Sequence, residues 1–417
     1  MRSERIRVRW DLRTCGLGAD AYIHIHLEVL GFRESAKLAR GLLLVPCTEE
    51  RMRNSRPSKA VQISNTHRRP KVAIVLNLNA GSVTDALVKD VKRLCNHESV
   101  YLSRSLEQAQ FIARRIVSQK YDVVLCGGGD GTFGRCVSDV TALNPERLPA
   151  FGVLRLGTGN GLADALGASP RGIKGILADL KCAQTPEAQR DLALLQVEDR
   201  VSTFAGVGLD SMILEDYIKT KAKLSAGPLA KLAGGAAGYA LAIASRSIPR
   251  YVLQARPAVT VRNEGNTTYR LDTMGQAVGA PIARGEIIYK GPISIAATST
   301  IPFYGLGLRL FPHAEKREGR FQLRLADLGL MEILPYIPLL FSGQFTHPRV
   351  YDYACNAVSI EVDKPTAFQI GGDLVGERKK LSMRLTKITA LDGARAQPAA
   401  KRQVGIHQTL REAVINA

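Results

Sequence analysis

Seven cysteines are scattered through the 417 residues with no C-x-x-C pair, which argues against a disulfide framework and a zinc site and fits a reducing cytosol. Cys126 and Cys136 read as core residues, because free cysteine packs as a small apolar side chain. Long apolar runs are also missing. The longest uncharged stretch, 291–308, has 18 residues and is broken by Gly, Ser, Thr and Pro, so nothing reads as a bilayer span. The first residues lack the charged, apolar and cleavage-site order of a secretory signal. No Gly-Lys dipeptide occurs, which excludes a Walker A loop, and neither main glycine turn has the G-x-G-x-x-G spacing of a dinucleotide fingerprint. Acids are scarce: 38 Asp and Glu against 57 Lys and Arg leave a net charge of +19, which points to an acidic partner. No motif with interleaved aromatics accompanies the charge, so an anionic phospholipid surface is expected rather than nucleic acid. From Arg51 to Lys71 there are seven basic residues and no acid, read as a solvated linker or a membrane-leaning arm.

What the chain does have is a set of strand-to-helix turns rich in small polar residues. Tyr121 to Cys126 reads as a buried strand entering Gly127-Gly128-Gly129-Asp130-Gly131-Thr132, with a helix expected from Phe133 to Leu143. Phe151 to Leu156 enters Gly157-Thr158-Gly159-Asn160-Gly161 and a helix from Leu162 to Leu166, and Lys71 to Leu76 enters Asn77-Leu78-Asn79-Ala80-Gly81. Between them, Ser105-Leu106-Glu107-Gln108 forms a capping-box pattern, with Ala109, Ile112 and Ile116 on one helix face. Parallel strands of this kind put three polar turns on one sheet edge, where open α/β sheets bind ligands. Glycine lets backbone N–H groups converge on an anion at a helix start. Asp130 would repel a bare phosphate, so it suits a metal or a substrate hydroxyl.

GGGDGT followed by GTGNGLA resembles the catalytic domain of the diacylglycerol kinase and sphingosine kinase family, in the manner of its bacterial lipid kinases. Asn79-Ala80-Gly81 resembles the tail of the family's first phosphate loop, with Leu78 in place of the usual proline. The resemblance covers residues 71 to about 388 and implies an ATP- and magnesium-dependent lipid kinase acting at a membrane surface. It implies a Rossmann-like three-layer α/β domain over 71–190. A β-rich, sandwich-like lipid domain over 191–388 would return to the first domain near its end. Residues 1–70 are left as a poorly ordered or uncertain extension and 389–417 as a flexible tail. Nucleotide contacts are carried over to Asn79, Ser103, Gly128, Gly129, Asp130, Gly131, Thr132, Gly157, Thr158 and Asn160.

In the second half, Phe204 to Asp210 resembles the segment that opens the family's lipid-side domain, and Phe311-Pro312-His313-Ala314 with Glu318-Gly319 resembles its P-x-A-x-x-x-D-G stretch. Glu318 replaces the aspartate that helps hold a structural magnesium there; it is either a metal ligand or a solvated turn acid. Ile370-Gly371-Gly372-Asp373 falls where bacterial members carry Asp-Gly-Glu, so Asp373 takes the place of the glutamate base. Asp130 and Asp373 are rivals for one proton, with Asp373 favoured as base and Asp130 as organiser of ATP-bound magnesium; Glu377 is a fallback. Short strands are expected at Leu192 to Val197, Ile293 to Ala297 and Phe321 to Leu325, with helix between Asp210 and Ser247. The apolar stretch Ile333 to Phe345, with Pro335 and Pro338, reads either as a buried segment, the favoured case, or as a surface loop dipping into the membrane interface. The expected protein is cytoplasmic and peripherally membrane-associated, with diacylglycerol the leading acceptor and a homodimer left open. A sphingoid-base or ceramide kinase, an enzyme like the NAD kinases, and a catalytically weak nucleotide- or lipid-binding relative stay open beside it.

Overall fold

The computed structural model describes residues 5–13, 22–30, 69–95, 99–157, 160–225, 242–247, 249–250, 256–304 and 307–395. Thr158, the basic run up to residue 68 and tail residues 396–417 lie outside them. The chain divides into two compact units, Met1–Arg68 and Arg69–Ala417. In the first, β1 (Arg5–Arg13) and β2 (Tyr22–Leu30) pair antiparallel. The register runs from Arg5 opposite Leu30 to Arg13 opposite Tyr22.

The second unit is a mixed α/β fold on one 16-stranded sheet. Its parallel part comprises β3 (Val72–Asn77), β4 (Val100–Ser103), β5 (Val123–Gly128) and β6 (Ala150–Arg155), in spatial order β4-β3-β5-β6. Alternate residues of β5 feed opposite faces. Val124 and Cys126 join a core closed by α2 (Leu106–Ser118) and α3 (Asp130–Ala142), with Ile112, Ile116, Phe133 and Val137. Val123 and Leu125 join the other, closed by α1 (Asp85–Leu94) and α5 (Ile173–Cys182). Ser105 caps α2 by accepting from Gln108 N at 3.3 Å, but the Gln108 carboxamide turns to Arg104 N instead of closing the box.

The β-rich part begins at β7 (Gln189–Val197) and the short β8 (Arg200–Ser202) and β9 (Phe204–Gly208). It continues through β10 (Ala258–Asn263), β11 (Thr268–Leu271), β12 (Ala277–Ile282), β13 (Ile287–Pro292), β14 (Ile295–Ser299), β15 (Phe321–Ala326), β16 (Val350–Cys355), β17 (Ala357–Ile370) and β18 (Asp373–Leu391). Val207, Phe321, Leu323, Ile360 and Phe368 sit in its core. β18 pairs antiparallel with β17 and β7 and meets β6 in parallel at Ala390 opposite Phe151, so one strand ties the two parts.

Of the helix expected from Asp210 to Ser247, α6 (Leu209–Ser225) and a π-helical turn at Ile243–Ser247 are present; 226–241 lie outside the described residues. The stretch Ile333 to Phe345 departs from the favoured buried reading except at Phe345, which is buried. It forms a 3-10 turn and a short helix, α7 (Ile337–Ser342), none of whose residues is buried. Among the described residues no helix is long and apolar enough to cross a membrane.

Candidate active site

The parallel strands end together, and their order changes direction between β3 and β5, the place where open α/β sheets form a ligand crevice. Asn77, the last residue of β3, spans that gap and donates from Nδ2 to Thr132 Oγ1 at 2.9 Å. Asn79 donates to the Arg104 carbonyl at 2.8 Å, and Leu78 N donates to the Ser103 carbonyl at 2.9 Å. A proline at 78 has no N–H to give, so Leu78 binds the first turn to the end of β4.

Helix α3 starts at Asp130 itself, so Asp130, Gly131 and Thr132 form its first turn rather than a loop before it. Gly129 is its N-cap and supplies no side-chain bond, which leaves first-turn N–H groups at the crevice for an external acceptor. The second glycine turn packs directly on the first: a Cβ on Gly157 would stand 2.3 Å from Gly129 Cα. Only glycine permits that approach. Asn160 stiffens the turn, donating to the Gly157 carbonyl at 3.0 Å and accepting from Gly157 N at 3.2 Å, and Arg171 also donates to the Gly157 carbonyl at 2.7 Å.

Asp130 links the two turns. Its carboxylate accepts from Gly161 N at 3.1 Å and Leu162 N at 3.2 Å, and so caps α4 (Gly161–Ala165). Burial pushes its carboxyl up to about 6, against the pull of those two N–H groups; Asp164 nearby adds to the rise. A cation beside Asp130 would favour the ionised form.

Asp373 reaches the same crevice from the far end of the chain. Gly371 and Gly372, with φ of 60° and 88°, form a two-residue hairpin between Ile370 and Asp373, the left-handed pair such a tight turn requires. The turn rests on α3, since a Cβ on Gly131 would lie 3.4 Å from the Gly371 carbonyl oxygen. It is propped from behind: Gly371 N donates to the Phe204 carbonyl at 2.9 Å, and Gly372 N donates to Gln369 Oε1 at 3.0 Å. Gln369 Nε2 donates to Asp210 at 2.9 Å, and Tyr304 closes a cluster with both. Burial raises the Asp210 carboxyl, while Tyr304 and Gln369 pull it down.

The Asp373 side chain is 67% exposed, with Arg200 3.9 Å away. Desolvation in the crevice raises its carboxyl, and Arg200 and then Arg135 work against that rise. A solvent-accessible carboxylate on a braced turn can accept a proton from a hydroxyl brought to it. The fallback Glu377 pairs with Ala367 farther along the hairpin.

The geometry therefore gathers Asn79, Ser103, the Gly128–Thr132 turn, Gly157, Asn160 and Asp373 around one crevice. Glu318 is separate, 95% exposed and 4.0 Å from Lys387. Among the described residues no group of three or more His, Cys, Asp or Glu is arranged to hold a metal. A magnesium ion here would need phosphate oxygens and water beside Asp130, its usual coordination. Arg200 and Gln369 escaped the sequence reading, and Asn77 was read only as part of the first polar turn. Gln369 left a faint signal, a polar residue between the apolar Phe368 and Ile370; Arg200 left none.

Residues 71–189 match the family profile described as Diacylglycerol kinase catalytic domain. A diacylglycerol kinase of Staphylococcus epidermidis is 26% identical over 313 residues, covering 73% of this chain and 85% of that protein. One from Staphylococcus aureus is 32% identical over 104 residues, 24% of this chain and 32% of its own length. The crystal structure of a diacylglycerol kinase from Bacillus anthracis is similar in fold, with a TM-score of 0.51 at 14% identity, covering 78% of this chain and 97% of that one.

Proposed function

We propose, from the match of residues 71–189 to the diacylglycerol kinase catalytic-domain profile, that this chain transfers the γ-phosphoryl group of ATP to a lipid hydroxyl, with diacylglycerol the leading acceptor. The observation that carries the proposal is the braced approach of the Gly371-Gly372 hairpin to Gly131, which brings Asp373 beside an uncapped helix start.

ATP, when bound with magnesium, supplies the transferable phosphoryl group and the charge neutralisation that its departure needs. The residues here fit that ligand. The α3 first turn offers N–H groups and a positive helix end to phosphate oxygens, Asn77 holds the Thr132 hydroxyl in place, and Asp130 offers a carboxylate to a cation. Asp373 takes the proton of the acceptor hydroxyl as its oxygen bonds to phosphorus and the bond to the leaving diphosphate breaks. Arg200 favours the ionised, proton-accepting form of Asp373.

The test is labelled ATP and magnesium with diacylglycerol, sphingosine and ceramide in mixed micelles, and with NAD. Asp373→Ala should lower turnover by about 10²- to 10⁴-fold, the usual worth of a general base. Unchanged turnover would remove Asp373 from the chemistry. Absence of any phosphorylated product from folded protein would remove the kinase reading altogether, and retained ATP binding in that case would favour a binding protein.

A further inference from the structure

We propose that α7 and its flanks form the element with which this protein docks on an anionic bilayer. The proposal deepens the lipid-acceptor reading and rests on it for its purpose, although its test does not depend on turnover.

Residues 333–346 include no charged side chain. Yet Ile337, Leu339 and Phe341 are 40%, 37% and 48% exposed, and Pro335 and Pro338 are exposed beside them. This cluster is held out rather than left loose. Phe345 is buried and packs on Tyr336 with ring centroids 5.3 Å apart, and the Leu340 carbonyl accepts from Arg309 N at 3.0 Å. Gly343 ends the helix at φ 75°.

The cluster neighbours the candidate active site. The Arg309 guanidinium lies over the Phe303 ring at 5.5 Å, and a Cβ on Gly161 would stand 2.8 Å from Phe303 Cβ. Gly161 N is in turn bound to Asp130. A bilayer meeting α7 would thus lie near the crevice that must receive a lipid hydroxyl.

Size and charge favour a bilayer as the occupant. Three half-exposed apolar side chains offer on the order of 200 Å², well short of the roughly 800 Å² per partner of a stable protein interface. A few apolar side chains with basic neighbours are enough to hold a protein at a lipid interface. Arg309 is exposed at the flank, Arg349 after the helix is paired with Glu332, and the chain as a whole carries +19.

The test is co-sedimentation of the full chain with sucrose-loaded vesicles of phosphatidylcholine, with and without phosphatidylglycerol. Wild type should bind the anionic vesicles. Leu339→Ser combined with Phe341→Ser should weaken partitioning by about tenfold or more, since each buried methylene is worth roughly fourfold. Phe341→Trp, which keeps an interface-seeking ring, should restore or strengthen binding and so controls for misfolding. Arg309→Gln should weaken binding at low salt only. Equal partitioning of wild type and the double serine variant overturns the proposal. So does an absence of vesicle binding, including the case in which light scattering then shows a Phe341-dependent dimer. Lipid phosphorylation on the same vesicles reports separately: full binding without product sinks the kinase reading and leaves the docking surface standing.

Discussion

Asp130 shows how one side chain can serve fold and chemistry at once. Its two bonds to α4 fix the distance between the glycine turns, while burial holds its carboxyl near 6 instead of the usual carboxylate range. A folded-state pKa above the unfolded value means that the protonated form is the one the fold prefers. The stabilising contribution is therefore complete below about pH 4 and is lost as pH rises through about 6, with at most about 3 kcal/mol at stake and less after allowance for partial exposure. Urea unfolding of wild type and Asp130→Asn across that window should show the wild type losing stability relative to the variant as pH rises. Parallel pH curves would mean that the site does not hold the carboxyl up. If a nucleotide-bound cation sits at Asp130, magnesium and ATP should flatten the wild-type slope, because they bind the ionised form.

At the scale of elements, the crevice depends on two backbone segments touching without side chains between them. Gly157→Ala would put a methyl group 2.3 Å from Gly129 Cα and force the turns apart. We expect a loss of about 1–3 kcal/mol in unfolding free energy, typical of overpacking, with weaker ATP binding by calorimetry; unaltered affinity would show that the nucleotide does not depend on this contact. Much of this level was legible in the sequence, because strand periodicity and glycine turns are local signals. The turns after β3, β5 and β6 could be located from the apolar runs that precede them. The capping role of Asp130 could not, since its donors lie 31 residues on and an acid after glycines reads locally as a metal organiser. The approach of the Gly371-Gly372 turn to Gly131 depends on long-range registration of β17 and β18, which family resemblance hinted at and composition could not supply. The exposure of α7 was the less favoured of two readings because apolarity alone does not say whether a neighbouring element covers it.

For the molecule as a whole, β18 is the strand on which the arrangement depends. It begins at Asp373 in the crevice, contributes Leu381 and Met383 to the core of the β-rich part, and ends with Ile388 and Ala390 in the core shared with α2 and α3. A strand that feeds both cores couples them, so the unit Arg69–Ala417 should unfold in one transition. Ile388→Ala, at a site only 6% exposed, should cost about 2–5 kcal/mol. That loss should appear equally in hydrogen exchange of β5 and of β15, although β15 lies strands away. Calorimetry and exchange would follow this transition. Two resolved transitions, with only the one containing β5 shifted, would mean that the halves fold independently and that β18 merely bridges them. A single shifted transition would mean that the geometry holding the Gly371-Gly372 turn against Gly131 is maintained by the stability of the entire sheet.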